Sequence, residues 1–304
     1  MSVLVIGSSN TDLVVQAGRL PKPGETVLGG TFFLNPGGKG ANQAVAAARL
    51  GKNITFCCKT GEDSYGKEAR QLFQKEGLDT RYVFHTAEAP SGVALITVDD
   101  KAENCIVVAS GANLLIKAED IDRIEDIGSF NYILVQLEIP VETVEYIARI
   151  AQKQRIPLIL NPAPACALSP ELLRAVSIIT PNETEAELLT GIRITDDASA
   201  LSAAKALRER GPETVIITLG AKGSLIHSAH LTEFVPAFPT QAVDTTAAGD
   251  VFNGALAVGL DEGKSLKEAV FFATAASSIA VSRMGAQSSA PEREEVEQKL
   301  INRP

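Results

Sequence analysis

The segment Asp244-Thr245-Thr246-Ala247-Ala248-Gly249-Asp250 places small residues between two carboxylates, directly before a helical pattern over Val251-Phe252-Asn253-Gly254-Ala255-Leu256. Small residues at the beginning of a helix leave backbone N–H groups free to face a ligand, and the helix end adds partial positive charge. Such a segment favours binding of an anion, for example a phosphoryl group during its transfer. Asp250 would then lie beside the anion and accept a proton from an attacking hydroxyl. The alternative is that Asp250 only caps the helix.

A second glycine-rich segment, Asn35-Pro36-Gly37-Gly38-Lys39-Gly40-Ala41-Asn42-Gln43-Ala44, also precedes a helical pattern. It differs from the phosphate-loop consensus, because Gly40 follows Lys39 where a serine or threonine would hold Mg²⁺. The glycines allow close approach of the backbone, and Lys39 and Asn42 can hydrogen-bond the hydroxyls of a polyol. A glycine-rich helix start with a solvated lysine is the alternative interpretation.

Polar residues also follow several apolar runs, where an open α/β sheet binds its ligands. Asn10 and Asp12, after the first run, suit vicinal hydroxyls, although a turn uses the same residue types. After another run, Glu185 could hold hydrated Mg²⁺ and Asn182 could contact phosphates, or both could simply begin a helix. The glycines of segment 218–223 could lie along a nucleotide or form a tight hairpin turn.

Short apolar runs alternate with helical patterns, which predicts an α/β fold: a doubly wound, Rossmann-like parallel sheet with helices on both faces. Strands are predicted at 3–7, 54–59, 132–136, 157–160, 177–180, 214–219, 224–227 and 232–235. Helices are predicted at 40–50, 66–76, 141–154, 183–189 and 199–209, with three further helical segments after 235.

Four strand-like stretches, 11–16, 26–34, 91–98 and 104–108, interrupt this alternation. They could form two surface hairpins, or a small β-sheet that covers a substrate cleft as a lid. We predict a single domain over residues 1–304, with the lid strands inserted at about 11–36 and 91–109.

The chain has 304 residues, of which 45% are hydrophobic and 21% charged, typical of a folded domain that needs no disulfide or metal scaffold. A net charge of −9 provides no general attraction for nucleic acid or anionic lipid. The four cysteines lack metal-binding spacing, which indicates reduced and mostly buried thiols. No signal peptide or transmembrane pattern is visible, so we expect a cytoplasmic protein without nucleic-acid or membrane partners.

Taken in order along the chain, these motifs resemble those of the ribokinase-like sugar kinases, also called the phosphofructokinase-B family. Its two signature regions match segments 37–44 and 244–250, and further matches are 135–138, 160–164 and 180–185. The similarity extends from Gly7 to about Pro291, and Asn10, Asp12 and the segment 37–43 are specific to the ribose branch. Many members carry Gly-Ala-Gly-Asp where this chain has Ala247-Ala248-Gly249-Asp250, a departure interpreted as a feature of that branch.

The resemblance implies ATP-dependent phosphorylation of D-ribose at its 5-hydroxyl, yielding ADP and D-ribose 5-phosphate. It implies Asp250 as the base and the backbone amides of Ala247, Ala248, Gly249 and Asp250 as the anion hole. The implied sugar contacts are Asn10, Asp12, Gly38, Lys39, Asn42, Glu138 and Asp250. The implied ATP contacts, with Glu185 organising Mg²⁺, are Asn182, Glu185, Thr218, Gly220, Lys222, Gly223, Gly249 and Thr274. An activating potassium ion is expected at Asp244, Thr246, Ala280, Arg283, Gly285 and Ser289, and a homodimer through the lid sheets.

Two other readings remain open. One is a kinase of the same family for 2-deoxyribose or fructose. The other is a regulator that binds sugar or nucleotide without turnover, since a fold does not prove an activity. A dinucleotide-dependent dehydrogenase is disfavoured, because Gly7-Ser8-Ser9-Asn10 stands where G-x-G-x-x-G would follow the first strand.

Overall fold

The computed structural model describes residues 2–101 and 103–302, which form two β-sheets and the helices that cover the larger one. The strands are β1 (Val3–Ile6), β2 (Asn10–Gln16), β3 (Thr31–Gly37), β4 (Ile54–Gly61), β5 (Asp79–Thr86), β6 (Gly92–Val98), β7 (Asn104–Ala109), β8 (Tyr132–Val135), β9 (Leu158–Leu160), β10 (Ile178–Ile179), β11 (Thr214–Thr218), β12 (Ser224–Ser228) and β13 (Thr232–Val235). The helices are α1 (Lys39–Leu50), α2 (Ser64–Lys75), α3 (Ala118–Ile121), α4 (Val141–Gln154), α5 (Pro170–Ala175), α6 (Glu183–Thr190), α7 (Asp197–Glu209), α8 (Ala248–Asp261), α9 (Leu266–Ala280) and α10 (Arg293–Ile301).

The larger sheet has nine strands in the order β13-β12-β11-β10-β9-β8-β1-β4-β5. Neighbours from β11 to β5 are parallel, whereas β12 and β13 add an antiparallel edge. Alternate residues of β1 face opposite cores: Val3 and Val5 pack with α1, α8 and α9, while Leu4 and Ile6 pack with α4 and α7. Both faces are therefore covered, which confirms the doubly wound α/β prediction.

Strand β5 was not predicted from the sequence, although it pairs with β4 over most of its length. It lies at the sheet edge, and exposed Arg81 and His85 interrupt the apolar run that marks the central strands. The predicted strand at 26–34 begins only at Thr31, because Gly29 and Gly30 adopt φ of 95° and 108°, incompatible with an extended strand.

The cysteines are all free among the described residues, as expected, but only two of them are buried. Cys57 and Cys58 lie on β4, next to the edge strand β5, and one faces each core. Cys105 and Cys166 are exposed, so the expectation of mostly buried thiols was wrong for half of them. Within the described ranges, no helix is long and apolar enough to cross a membrane.

The smaller sheet has four strands in the order β3-β2-β6-β7, built from the two segments that interrupt the α/β alternation. β2 pairs antiparallel with β3 and parallel with β6. β2 begins four residues after β1, and β3 runs directly into α1. The smaller sheet is thus attached at the carboxyl end of a central strand of the large sheet, where ligands of open α/β folds bind.

Helices α1 and α8 pack closely at Gly254. A Cβ atom there would lie 2.6 Å from the Gln43 carbonyl oxygen and 3.0 Å from the Ala46 Cβ. Since Asp250 lies one turn before Gly254, this close packing also brings the beginning of α1 against Asp250.

We expect Gly254→Ala to lower the free energy of unfolding by about 1–3 kcal/mol, the usual cost of overpacking. Helix propensity alone predicts the opposite sign, a gain of up to about 1 kcal/mol. Urea unfolding of the variant and the parent protein measures the difference. Increased stability of the variant would contradict the close α1–α8 contact.

Candidate active site

A cavity of about 190 Å³ opens at the carboxyl end of the large sheet, where α8 begins. Its lining is mostly polar and comes from α1, the ends of β9, β10 and β11, and the first turns of α6 and α8. The lining residues are Lys39, Asn161, Ala163, Thr180, Asn182, Glu185, Thr218, Thr245, Ala247, Ala248, Gly249, Asp250 and Asn253. The structure thus brings Lys39, Asn182, Glu185, Thr218 and the segment 247–250 to one place, as the sequence predicted.

Asp250 lies in the first turn of α8, and only 5% of its surface is exposed. Its Oδ2 accepts a hydrogen bond from Asn42 Nδ2 at 2.9 Å, and its Oδ1 accepts one from Gln43 Nε2 at 3.0 Å. The residue in the cap position is Ala247, and the Asp250 carboxylate does not bond the helix backbone. The helix-cap alternative is therefore excluded, and the carboxylate is held from α1 at the cavity wall.

Burial, neighbouring charges and hydrogen bonds all act on the pKa of this carboxylate. Burial raises the pKa of Asp250, the positive charge of Lys39 and the two amide donors oppose this rise, and the negative charge of Glu138 adds to it. Burial also lowers the pKa of Lys39, but the carboxylates of Asp250, Glu138 and Glu185 outweigh that effect and raise it overall. The ammonium group of Lys39 beside Asp250, a carboxylate of raised pKa, suits proton transfer near neutral pH.

The first turn of α8 presents backbone N–H groups to the cavity. Ala247 adopts φ of 57°, the left-handed region that favours glycine, which gives a physical reason for the glycine that many family members carry there. In the described part of the chain, the N–H groups of Gly249 and Asp250 have no protein acceptor. Both residues line the cavity. This is the geometry of an anion site.

The candidate sugar-binding residues lie where β2, β3 and α1 meet. Asn10 is buried, and its Oδ1 accepts from Asn113 Nδ2 at 2.7 Å. Asn113 is itself fixed by Ser9, whose N–H donates to the Asn113 Oδ1 at 2.9 Å. The Asn10 amide is therefore held in one orientation, with its nitrogen directed away from Asn113 as a donor.

Glu138 organises the beginning of α1. Its Oε2 accepts from the Lys39 backbone N–H at 3.0 Å and from the Ser8 hydroxyl at 2.6 Å. Gly38 precedes the helix with φ of 88°, and a Cβ there would lie 2.7 Å from the Asn10 backbone nitrogen. Only glycine fits this approach, so β2 and the start of α1 present their polar groups side by side.

Asp12 lies on β2, opposite Asn35 in the register of β3. Burial and the negative charge of Glu138 raise the pKa of Asp12 to about 6. A Cβ at Gly37 would lie 2.4 Å from the carboxylate oxygens, so this glycine makes room for the side chain. Asp12 is not a residue of the cavity wall at α8, and it belongs to the small-sheet side of the site.

On the other side of the cavity, Asn182 and Glu185 begin α6 with reciprocal hydrogen bonds. Asn182 Oδ1 accepts from the Glu185 N–H at 2.8 Å, and Glu185 Oε2 accepts from the Asn182 N–H at 2.9 Å. The residues cap the helix, as the simpler interpretation predicted, and they also line the cavity, where their roles toward Mg²⁺ and phosphate stay predictions. Burial raises the pKa of Glu185, an effect that the Asn182 N–H and Lys39 reduce.

Several predicted nucleotide contacts lie outside this cavity lining. Gly220 and Lys222 form the 3₁₀ turn of the β11–β12 hairpin, and Gly223 follows it with φ of 103°. The Thr274 hydroxyl donates to the Val270 carbonyl of its own helix at 2.8 Å. These four residues stay predictions as nucleotide contacts.

The residues predicted to hold a potassium ion lie where the segment before α8 meets the end of α9. The Asp244 carboxylate joins the two parts, accepting from the Thr246 N–H and from the Gly285 N–H, both at 2.9 Å. The Arg283 guanidinium pairs with Glu295, so the group of Arg283 that could contact an ion is its backbone carbonyl. Ala280 ends α9, and Ser289 is fully buried nearby in the chain.

Four polar residues around this site were not proposed as functional from the sequence. Asn113 orients Asn10, whereas Asn161, Thr180 and Asn253 line the cavity. Asn253 bridges Thr180, whose hydroxyl donates to it at 2.6 Å, and the Gly249 carbonyl, 2.8 Å from its Nδ2. Buried polar residues just after apolar strands are the signal that could have indicated Asn161 and Thr180.

A buried acid, an ammonium ion and open N–H groups around one cavity are typical of enzymes that transfer an anionic group to a hydroxyl. Comparison with known proteins narrows this class. The model of the pfkB family of carbohydrate kinases matches residues 1–293, and the chain belongs to this family.

The relatives share nearly full-length similarity. A ribokinase from Haemophilus influenzae is 46% identical over 295 residues, 97% of this chain and 96% of that protein. A deoxyribokinase from Salmonella typhi is 37% identical and covers 99% of both chains. The structure of Arabidopsis thaliana ribokinase in complex with ribose and ATP superposes with a TM-score of 0.91, at 33% identity and 98% coverage of both chains.

Proposed function

We propose that this carbohydrate kinase transfers the γ-phosphoryl group of ATP to the 5-hydroxyl of D-ribose, forming D-ribose 5-phosphate and ADP. The observation that carries the proposal is the placement of Asp250, buried between Asn42 and Gln43 and beside the open N–H groups of α8. The relatives named ribokinase, similar over nearly the whole chain, support ribose as the acceptor.

The sugar side of the site is formed by Asn10, Asp12, Gly38, Lys39, Asn42 and Glu138. Asp12 offers acceptor oxygens for vicinal hydroxyls, and Asn10 and Asn42 offer amide groups. Together they orient the hydroxyl to be phosphorylated toward Asp250, which holds and then accepts its proton. Because a carboxylate is a weak base toward an alcohol, alignment of this hydroxyl is the larger part of its contribution.

On the phosphate side, the backbone amides of Ala247, Gly249 and Asp250 stabilise negative charge on the migrating group, and Lys39 adds a positive charge beside them. Of the four amides expected in the anion hole, that of Ala248 donates instead to the Thr245 carbonyl at 3.3 Å. Asn182 and Thr218, which line the same cavity, are the proposed contacts to the nucleotide. Glu185, a partly buried carboxylate at the opposite wall, fits the oxygen chemistry of hydrated Mg²⁺. When bound, the metal would neutralise phosphate charge. The other proposed nucleotide contacts, taken from the family resemblance, are Gly220, Lys222, Gly223 and Thr274.

A substrate panel tests this function. We expect ADP release in a coupled assay to be fastest, by kcat/KM, with D-ribose, and to be slow without sugar. Losing the 2-hydroxyl would leave a buried polar group such as Asn10 without its partner, so 2-deoxyribose should be at least about tenfold poorer. A preference for 2-deoxyribose or fructose would overturn the ribose assignment. Absence of ADP release with every sugar would favour a non-catalytic binding protein.

Sugar binding should depend on pH through Asp12. The ionised carboxylate is the form that accepts hydroxyl hydrogen bonds, and its pKa in the free protein is raised to about 6. Affinity for ribose should therefore be constant above this value and fall below it, by about tenfold at pH 5. Calorimetric titration at pH 5, 6 and 7.5 measures this, and the same dissociation constant at all three would contradict the role of Asp12.

The activating potassium ion is a further part of the proposal. Carboxylate and carbonyl oxygens suit a hard cation, and Asp244 already connects the two segments that would enclose it. K⁺ should raise both the kinase rate and the thermal unfolding temperature more than Na⁺ or tetramethylammonium at equal ionic strength. Equal effects of all three salts would contradict this site.

We also propose a homodimer formed through the small sheet. That sheet exposes large apolar side chains, among them Phe32 at 59%, Leu95 at 55% and Val107 at 61%. Exposed apolar area of this kind is typical of an interface. Sedimentation should show a dimer at micromolar concentration and a monomer for Leu95→Lys. A monomeric parent protein would overturn the proposal.

A further inference from the structure

Two fully buried glutamines, Gln43 on α1 and Gln136 directly after β8, lie behind Asp250. Gln136 Nε2 donates to Gln43 Oε1 at 2.5 Å. Gln43 Nε2 in turn donates to Asp250 Oδ1 at 3.0 Å and to Asn161 Oδ1 at 3.1 Å. The three elements α1, β8 and α8 are thus joined by one continuous chain of hydrogen bonds that ends on the proposed base.

The direction of this chain is set by two acceptors, the Asp250 carboxylate and the Asn161 oxygen. If the Gln43 amide were reversed, its oxygen would face both the Asp250 carboxylate and the Asn161 oxygen, and its nitrogen would face the Gln136 nitrogen. Asn161 cannot turn to compensate, because its Nδ2 donates to the Thr180 carbonyl at 3.2 Å. Asn161 therefore holds Gln43 in the one orientation that presents its nitrogen to Asp250, and Gln136 donates to the Gln43 oxygen in that orientation.

The fold accommodates Gln136 at a cost. A Cβ at Gly7 would lie 2.0 Å from Gln136 Oε1 and 2.8 Å from the Gly40 Cα, so the chain needs glycine at that position. Gln136 Oε1 is also buried without a donor among the residues that the structure describes. An apolar side chain would avoid this unpaired acceptor, so packing alone does not account for a glutamine here.

We propose that Gln43 and Gln136 form an amide relay that fixes the orientation of the Asp250 carboxylate for the sugar hydroxyl. Both are positioning residues, since neither is proposed to touch a substrate. This inference rests on the proposed kinase function. The relay connects the end of β8 with Asp250 in the first turn of α8.

The relay also opposes protonation of Asp250. The charged groups that act on this carboxylate are Lys39 on α1, Glu138 after β8 and Glu185 on α6. Burial and the two acids favour its protonated form, whereas Lys39 and the amide donors favour the ionised form. Loss of the Gln43 donor should therefore shift the acid limb of the pH–rate profile upward.

The experiment compares Gln43→Met, Gln136→Met and the double variant with the parent enzyme, using Gln152→Met on the exposed side of α4 as the matched control. We expect Gln43→Met to lower kcat by about ten- to a hundredfold, with the KM for ribose within about threefold. Its acid limb should rise by about one pH unit. Gln136→Met should act in the same direction with a smaller effect, and should add little in the double variant, because its effect passes through Gln43.

Additive effects of the two substitutions, an unmoved acid limb, or equal changes in kcat and KM would each overturn the relay. Thermal unfolding and calorimetric nucleotide binding show whether a variant has folded. If the methionine variants are unfolded, the nearly isosteric Gln136→Glu replaces them, with the same expected direction of change. If the parent chain phosphorylates no sugar, the proposed function fails. The relay is then still tested by ¹³C NMR titration of the Asp250 carboxyl, whose pKa should rise in Gln43→Met.

Discussion

The Asp250→Asn variant is expected to lose at least ~10²-fold in kcat, the low end of the usual effect of removing a general base, with little change in affinity for ribose. The substitution keeps the size of the side chain and one acceptor oxygen, although the new amide nitrogen faces one of the two donors, Asn42 or Gln43. It removes the negative charge that accepts the hydroxyl proton. Steady-state kinetics with ribose and ATP, together with calorimetric ribose binding, separate the two effects.

Asp197→Asn is the matched control for this variant, since Asp197 is an exposed acid in the first turn of α7. It should leave kcat and ribose affinity unchanged. Near-normal turnover in Asp250→Asn would remove Asp250 from the chemical step. A large loss of ribose affinity would instead assign it mainly to binding.

The Asp12→Ala variant is expected to lower kcat/KM for ribose by about 10²-fold, mainly through a higher KM. Hydrogen bonds from hydroxyls to a charged acceptor are worth about 1.5–3 kcal/mol each, and a carboxylate can accept two. The variant should also lose the decrease in ribose affinity between pH 7.5 and pH 5, because that decrease is attributed to this carboxyl.

Asp100→Ala, a change to an exposed acid in the turn between β6 and β7, is the control for this prediction. If Asp12→Ala bound ribose as well as the parent protein, the sugar site would have to lie away from the small sheet. If it lost affinity but kept the same pH dependence, another group would carry the titration.

The main features of the fold could be predicted from the sequence because they depend on local patterns. Central strands such as β1 and β8 are buried on both faces, so they are continuous apolar runs bounded by turn residues. Helix α4 was predicted with its observed bounds for a similar reason: its apolar residues follow the helical period. Edge strand β5 escaped prediction because one side is solvated, and polar residues there interrupt the run.

The candidate site could be predicted in part, for the same reason. Asp250, Asn182 and Glu185 follow signals within a few residues of themselves, a small-residue helix start and a capping pattern. Gln43 was seen only as part of a motif, and Gln136 only as part of a matching segment. Their role depends on partners 93 to 207 residues away in the chain, which no local pattern reports.

The sequence by itself therefore determined the class of fold, the family resemblance and the two glycine-rich segments, since each is encoded in consecutive residues. Only the tertiary structure decided that Asp250 does not cap its helix, because its partners Asn42 and Gln43 approach from α1 across the close contact at Gly254. The raised pKa of Asp12 was likewise a tertiary result, because burial and the charge of Glu138 act on it only in the folded chain.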